Sequence, residues 1–258
     1  MMLALHAEWT KLRTVAGPAW LLLAAIASTV ALSAAAAAAP TCPLDRCLVD
    51  APRLSLTGVQ LGQVVIAVLA VLAVGGEYST GMIRTTLTAL PRRVTVLAAK
   101  ATTVSGLTLA AGSVAVLGSL LAGRLILPGN GLTSSRGYPP LTLTDGPTLR
   151  AAAGSVLYLV LIGLLSLGVA TAVRDSATAI GVVLGLLYLF PILAQVVTDP
   201  IWQRHLKQIA PMTAGLAIQT TTNVGSLPIS PWAGLGVLAA WAAGALLAGG
   251  LLLQLRDT

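Results

Sequence analysis

The stretch Ala151–Val173 reads AAAGSVLYLVLIGLLSLGVATAV and contains no charged residue. A helix of this length rises about 35 Å, at about 1.5 Å per residue, and can therefore cross a hydrocarbon layer of about 30 Å. Inside lipid no water is present to bond the backbone, so an apolar run of this kind crosses the membrane as a helix. We predict a transmembrane helix here.

Similar blocks occur throughout the chain. Their predicted bounds are Gly17–Ala39, Leu56–Val74, Ala101–Leu127, Ala177–Val197 and Trp232–Leu253. Hydrophobic residues make up 56% of the 258 residues and charged residues only 9%, and the mean hydropathy is +0.90. So few charges cannot cover a soluble globule, and a transmembrane β-barrel would show short alternating segments instead. We predict an all-α membrane protein with six transmembrane helices in one domain, residues 1–258.

Positive charge is confined to the edges of the blocks. The net charge is +7, but Lys and Arg occur singly or in pairs without a basic face, so we expect no nucleic-acid partner. Arg84, Arg92, Arg93 and Lys100 follow the second block, and the positive-inside rule then places both termini in the cytoplasm. Lys100 and Arg124 bracket the third block, and we expect both side chains to reach opposite membrane interfaces.

Two short segments flank the first block. Leu5, Trp9 and Leu12 recur at helical spacing among charged residues, which predicts an N-terminal interfacial helix. On the outer side, Cys42 and Cys47 enclose a short loop in a compartment where disulfides persist, so we expect a disulfide rather than two free thiols. Two thiols without a nearby His are a poor metal site, and we predict no metal.

Catalytic and ion-coupling groups are missing from the apolar blocks. All eight Asp and Glu residues lie outside the predicted span cores, which disfavours a proton-coupled carrier. His6 and His205 are the only histidines, and neither an H-E-x-x-H motif nor a Walker A motif occurs. We expect almost no polar groups at membrane depth, no enzymatic activity in this chain, and any ATP to be hydrolysed by another subunit.

The connection after the second block, residues 75–93, reads GGEYSTGMIRTTLTALPRR. Ile83, Leu87 and Leu90 form an apolar stripe opposite threonines, and Pro91 ends the helix. We predict a short amphipathic helix over Glu77–Leu90 on the cytoplasmic side. It is either an interfacial connector or a contact helix for a cytoplasmic partner.

The run Glu8–Thr14 (EWTKLRT), the GEYSTGMIR loop with its Leu-Pro-Arg-Arg end and the order of the six spans resemble bacterial type-2 ATP-binding-cassette (ABC) permeases. The resemblance implies a multi-pass protein of a bacterial plasma membrane. It implies further that this chain pairs with a second permease subunit, as a homodimer or a heterodimer. Two copies of a cytoplasmic ATPase that holds ATP and Mg would complete the complex. It also implies that residues 77–90 form the coupling helix. Its ATPase contacts would be Glu77, Tyr78, Arg84 and Leu87, with a minor contact at Arg174 and Asp175.

The family also has short helices or a re-entrant hairpin before the last span. Residues 200–220 match by composition, since Trp202, Leu206 and Ile209 make one apolar side of an amphipathic segment. This segment either re-enters the membrane as an outer lid or rests on headgroups, and the sequence favours neither.

The resulting prediction is a permease subunit of an ABC exporter whose cargo is apolar or amphipathic, because the spans contain so few charges. A non-transporting scaffold or sensor subunit is the main alternative, and a secondary transporter is a weaker one. Small residues at four-residue spacing, Gly181 with Gly185 and Ala240 with Gly244 and Ala248, suit close helix contacts. We assign them mainly to packing within the chain.

Overall fold

A computed structural model describes residues 16–39, 49–79, 93–132 and 141–255. Within these ranges all regular structure is helical. The helices are α1 (Ala16–Ala38), α2 (Ala51–Ser55), α3 (Val59–Ser79), α4 (Arg93–Ile126), α5 (Gly146–Val173), α6 (Ser176–Val196), α7 (Pro200–Ile209), α8 (Pro211–Leu216) and α9 (Pro231–Leu255). Short 3₁₀ turns cover Leu127–Asn130, Ala217–Gln219 and Val224–Ser226.

Six of these helices, α1, α3, α4, α5, α6 and α9, are long and apolar enough to cross a membrane. Their outward faces carry large apolar side chains that water would not tolerate in such number. Examples are Trp20, Leu121, Leu125, Val196, Leu247 and Leu251. The chain is an all-α, multi-pass membrane protein with six candidate spans, and this prediction is confirmed.

Aspartate residues begin several of the helices. The carboxylate of Asp50 accepts a hydrogen bond from the Arg53 amide at the start of α2. Asp145 and Asp175 do the same for the Thr148 and Thr178 amides of α5 and α6. Because an N-cap satisfies amides that have no partner within the helix, these acids mark the starts of helices rather than their interiors.

Helix α5 occupies the centre of the bundle. It packs against α3, α4, α6 and α9, and its inward side chains are fully buried. Among them are Tyr158, Leu159, Ile162, Leu165 and Leu167. The helices α1, α6 and α9 lie at the periphery, where most of each surface faces outward.

Close helix packing depends on glycines that the sequence did not single out. A Cβ atom on Gly168 of α5 would lie 2.5–2.8 Å from backbone atoms of Ala245 and Leu246 in α9. By contrast, Gly181, Gly185 and Gly244 have open space where a Cβ would lie. The assignment of these three glycines to packing within the chain was therefore wrong for the described residues.

Lys100 also differs from expectation. Its side chain is only 4% exposed, and Nζ donates to the Ala73 carbonyl oxygen of α3 at 3.1 Å. The side chain is therefore enclosed by protein rather than extended outward, because a part-buried carbonyl of the neighbouring helix binds it. Lys100 thus lies within α4, which begins at Arg93, eight residues before the predicted span. Arg124, in the last turn of α4, is exposed.

Candidate functional site

Most of the predicted partner-contact helix lies outside the described residues. The backbone of residues 77–79 continues α3, so Glu77 and Tyr78 belong to the end of that helix. The side chains of Glu77 and Tyr78, and the whole of Arg84 and Leu87, fall outside the description. The same holds for Cys42 and Cys47 and for the N-terminal segment before Ala16.

The turn between α5 and α6 is described and contains Arg174 and Asp175. Arg174 ends α5 in the left-handed region with φ 65°, and its Nη2 donates to the Leu252 carbonyl oxygen of α9 at 3.4 Å. Asp175 accepts from the Thr178 amide at 2.7 Å. Hydrogen bonds from the Thr178 amide and hydroxyl lower the pKa of Asp175. Asp175 is exposed and ionised at neutral pH, at the end of the bundle where α3 also ends.

Residues 200–220, called the hairpin below, turn back into the opposite end of the bundle. In α7 the side chains of Ile201 and Trp202 are exposed, whereas residues 210–220 are mostly buried. The indole Nε1 of Trp241 in α9 donates to the Ile209 carbonyl oxygen at 2.9 Å, where the chain reverses from α7 to α8.

The hairpin extends from the end of the bundle into its interior. Gly215 lies against the ring of Tyr158, and Ile218 lies against Gly154, one helical turn nearer the start of α5. The Thr220 carbonyl oxygen then accepts from Nη2 of Arg150 at 2.6 Å, another turn nearer that start. Tyr158 is about 18 Å along the axis of α5 from Gly146, at about 1.5 Å per residue. The segment from Gly215 to Thr220 therefore runs from the middle of α5 back towards the first turns of α5.

A polar network holds the deep part of the hairpin. Gln63 of α3 is fully buried and accepts a short hydrogen bond from the Tyr158 hydroxyl. Its Nε2 lies 3.1 Å from the hydroxyl oxygen of Tyr188 and 3.5 Å from the sulfur of Met212. Tyr188 in turn donates to the Gln60 carbonyl oxygen at 3.1 Å. Helices α3, α5, α6 and α8 thus meet at one amide side chain.

This network corrects the expectation that polar groups would be almost absent at membrane depth. The sequence contained the signal, because Gln63 and Tyr158 are polar residues inside uncharged apolar blocks. Expectations based on ionisable Asp, Glu and His alone overlook such neutral groups. A neutral amide bonded to phenols is tolerated in an apolar interior because each group finds a partner.

A second set of hydrogen bonds holds the residues at the end of the hairpin and just after it. The carboxylate of Asp50 accepts from the amide and hydroxyl of Thr221, both at 2.6 Å, and from the Thr222 amide at 3.1 Å. Burial raises the pKa of Asp50, but the hydrogen bonds from Thr221, Thr222 and Arg53 outweigh burial and lower it overall. Gln219 adds a bond from Nε2 to Oγ of Ser155 at 3.0 Å.

An apolar cavity of about 650 Å³ lies beside the hairpin, between α5, α6 and α9. Its walls are almost entirely hydrocarbon, and the hairpin contributes Ile209. The lining residues are Leu165, Val169, Val182, Leu186, Ile209, Val237, Ala240, Trp241, Gly244 and Ala245. Ligand sites of proteins commonly have volumes of about 300–1,000 Å³ and mostly apolar walls. The cavity therefore has the size and chemistry to hold an apolar molecule.

No metal-binding group of three or more His, Cys, Asp or Glu residues occurs in the part of the chain that the structure describes. No family model matches the sequence, and no curated protein matches it either. The class that the fold defines is an all-α, multi-pass membrane protein with a hairpin between its fifth and sixth spans, of which the second half, residues 210–220, is mostly buried.

Proposed function

We propose that this chain is the permease subunit of an ABC transporter of type 2, an exporter of apolar or amphipathic cargo. Hydrolysis of ATP occurs on a separate ATPase chain that holds ATP and Mg. In this proposal the chain has no catalytic activity of its own. The sequence resemblance at Glu8–Thr14 and in residues 75–93 supports the family assignment.

The observation that carries a transport function is the apolar cavity next to the hairpin. An irregular segment at membrane depth is tolerated where it is buried in protein or lines a cavity, and transporters build binding sites from such interrupted helices. Here Ile209 joins the lipid-facing spans α6 and α9 in lining one cavity of about 650 Å³. An apolar cargo fits these walls, whereas a small ion finds no charged ligand among them.

The contact with the ATPase lies at the other end of the bundle. Helix α3 continues through Ser79 into the segment that holds the predicted coupling helix, residues 77–90. A displacement of this segment by the ATPase would move α3, which carries Gln63 of the hairpin network. ATP energy drives transport only if the nucleotide-loaded ATPase binds the two permease conformations differently.

The proposed complex contains a second permease subunit and two ATPase copies in a bacterial plasma membrane, with both termini cytoplasmic. Two glycines of α6 support a helix partner from outside the chain. Gly181 and Gly185 have no atom within 4 Å of an added Cβ. Small residues that leave a helix face open permit close approach of another helix in lipid.

The test uses sealed inside-out membrane vesicles that contain the permease, to which the ATPase chain is added from outside. We expect the ATPase to bind and to drive cargo uptake into these vesicles only with ATP and Mg. Glu77→Arg and Arg84→Glu should each reduce binding or uptake about tenfold, when normalised to the amount of permease. Arg124→Glu is the control, because Arg124 lies at the hairpin end of α4 and should leave binding unchanged.

Three results would count against the proposal. Binding of the ATPase only to right-side-out vesicles would overturn the orientation. Wild-type binding and uptake by both loop variants would reduce residues 77–90 to an interfacial connector. Stable ATPase binding without any ATP-dependent uptake would favour a scaffold or sensor subunit, and uptake driven by an ion gradient would favour a secondary transporter.

A further inference from the structure

A second, more polar cavity of about 330 Å³ opens at the hairpin end of the bundle, on the other side of the hairpin from the apolar cavity. We call it the cationic crevice, because Arg53 of α2 and Lys207 of α7 both line it. Its apolar walls include Met212 and Leu216 of α8 and Leu227 of the loop that follows. Its lining comes from α2, α3, α6, the hairpin and the loop that follows the hairpin, so no single helix end or turn defines it.

The acidic groups near the crevice are already occupied. Asp50 lines the adjoining cavity of about 450 Å³, but its oxygens accept from Thr221, Thr222 and the Arg53 amide. Asp199, at the start of α7, accepts from the Ile201 amide. These hydrogen bonds hold the carboxylates in place without neutralising them, and none of them comes from the side chain of Arg53 or Lys207, so both cations can still contact an anion.

Two buried polar atoms beside the crevice lack a partner. Thr220 lines both cavities and is only 5% exposed, yet its Oγ1 makes no hydrogen bond. Nε of Arg150, whose Nη2 bonds the Thr220 carbonyl oxygen, is also unsatisfied. Each of these atoms has less than 1 Å² of exposed surface, so an anion in the crevice would reach them only through a water molecule or a side-chain rotation.

We propose that the cationic crevice binds the phosphate group of an anionic amphiphile. A guanidinium and an ammonium together suit a phosphate, which offers several acceptor oxygens. The volume is at the low end of ligand sites, so the crevice holds a headgroup and the first part of a chain, which Met212 and Leu216 contact. Trp202 on α7 is 65% exposed, as expected of a tryptophan at headgroup level.

This inference goes beyond transport and does not depend on it. A lipid site at the hairpin end would exist equally in a scaffold subunit. The occupant is defined by its phosphate, and the experiment separates a lipid from a free ion.

The test measures binding to the purified full-length chain in a neutral detergent. Short-chain phosphatidylglycerol, short-chain phosphatidylcholine and inorganic phosphate are titrated separately, with thermal unfolding and native mass spectrometry as readouts. We expect phosphatidylglycerol to bind and raise the unfolding temperature. The variant with Arg53→Gln and Lys207→Gln should bind it about tenfold more weakly, because two charge-assisted contacts are lost.

Arg124→Gln and Arg204→Gln are the matched controls, since both remove an exposed positive charge that does not line the crevice. Equal binding of phosphatidylglycerol by the double variant and the controls would overturn the proposal. Equal affinity for phosphatidylcholine, whose phosphate is balanced by a choline cation, would show that the crevice does not select a net anionic headgroup and would overturn the proposal. Equal affinity for inorganic phosphate would exclude the amphiphile. Because ligand-free unfolding temperatures are recorded for every variant, a folding defect is recognised separately from a binding defect.

Discussion

At the scale of single residues, Gln63 is a buried polar side chain that joins three other helices to α3. Its amide bonds the Tyr158 hydroxyl of α5, the Tyr188 hydroxyl of α6 and the sulfur of Met212. The contacts with Tyr158 and Met212 are buried, and the contact with Tyr188 is part-buried. A buried group that loses its partner costs more than the bond itself contributed, because the orphaned group has also left water.

The losses in unfolding free energy caused by replacing Gln63 and its partner Tyr158 should therefore not be additive. Gln63→Leu leaves the Tyr158 hydroxyl buried without its acceptor, and we expect a loss of about 1–3 kcal/mol in the free energy of unfolding. Adding Tyr158→Phe removes the orphaned hydroxyl, so the double variant should be more stable than Gln63→Leu alone. Denaturant unfolding in detergent measures both values.

Gln195→Leu is the control for this pair, because Gln195 is exposed on α6. It should leave the unfolding free energy within about 0.5 kcal/mol of wild type. If the double variant loses the sum of the two single losses, the hydrogen bond between Gln63 and Tyr158 does not couple them.

At the scale of helices, the bundle depends on places where two backbones touch. Gly168 of α5 and Gly249 of α9 face one another, and a Cβ on Gly249 would lie 2.7 Å from the Gly168 carbonyl oxygen. In lipid no hydrophobic force drives helices together, so close packing of this kind supplies much of the free energy of helix association.

Alanine at two glycines should separate packing from helix propensity. Gly168→Ala forces α5 and α9 apart, and we expect a loss of about 1–3 kcal/mol in unfolding free energy. Gly181→Ala should be neutral or stabilising by up to about 1 kcal/mol, because its Cβ enters open space and alanine favours the helix. Unfolding of monomeric protein in detergent compares the two variants, and equal losses would contradict the packing described for α5 and α9.

At the scale of the whole molecule, the hairpin separates two cavities of different chemistry. The apolar cavity lies between α5, α6 and α9, and the cationic crevice lies between α2, α3 and the hairpin. A rearrangement of the hairpin would change both, because Ile209 lines the first and Met212 lines the second.

Filling the apolar cavity should block cargo without harming the fold. Gly244→Leu adds a side chain at the cavity wall, where a Cβ meets no other atom. We expect cargo uptake to fall about tenfold, equivalent to a loss of about 1.4 kcal/mol in cargo binding. Gly236→Leu is the control, since Gly236 is on the same helix, has the same open space and does not line the cavity.

ATP-dependent uptake into inside-out vesicles measures this effect, with ATPase binding recorded in parallel. If Gly244→Leu and Gly236→Leu transport equally, the cavity lies off the cargo path. If both lose ATPase binding, the substitutions have disturbed the assembly instead.

The sequence by itself determined the class of fold and the six spans. Hydropathy is a local property, and an uncharged run such as Ala151–Val173 must cross lipid as a helix whatever its neighbours are. For the same reason the chain showed in advance that its acids lie outside the span cores, and Asp50, Asp145 and Asp175 indeed lie at helix starts.

Only the tertiary structure decided which side of each span faces the protein. Lipid and protein interior are equally apolar, so the hydrophobic pattern does not distinguish a lipid-facing surface from a buried one. The sequence therefore could not tell that Gly168 packs closely while Gly181 does not, or that Lys100 turns inward to Ala73. Gln63 and Tyr158 are 95 positions apart, and their bond exists because the rotation of α3 and α5 about their axes brings the two polar side chains together.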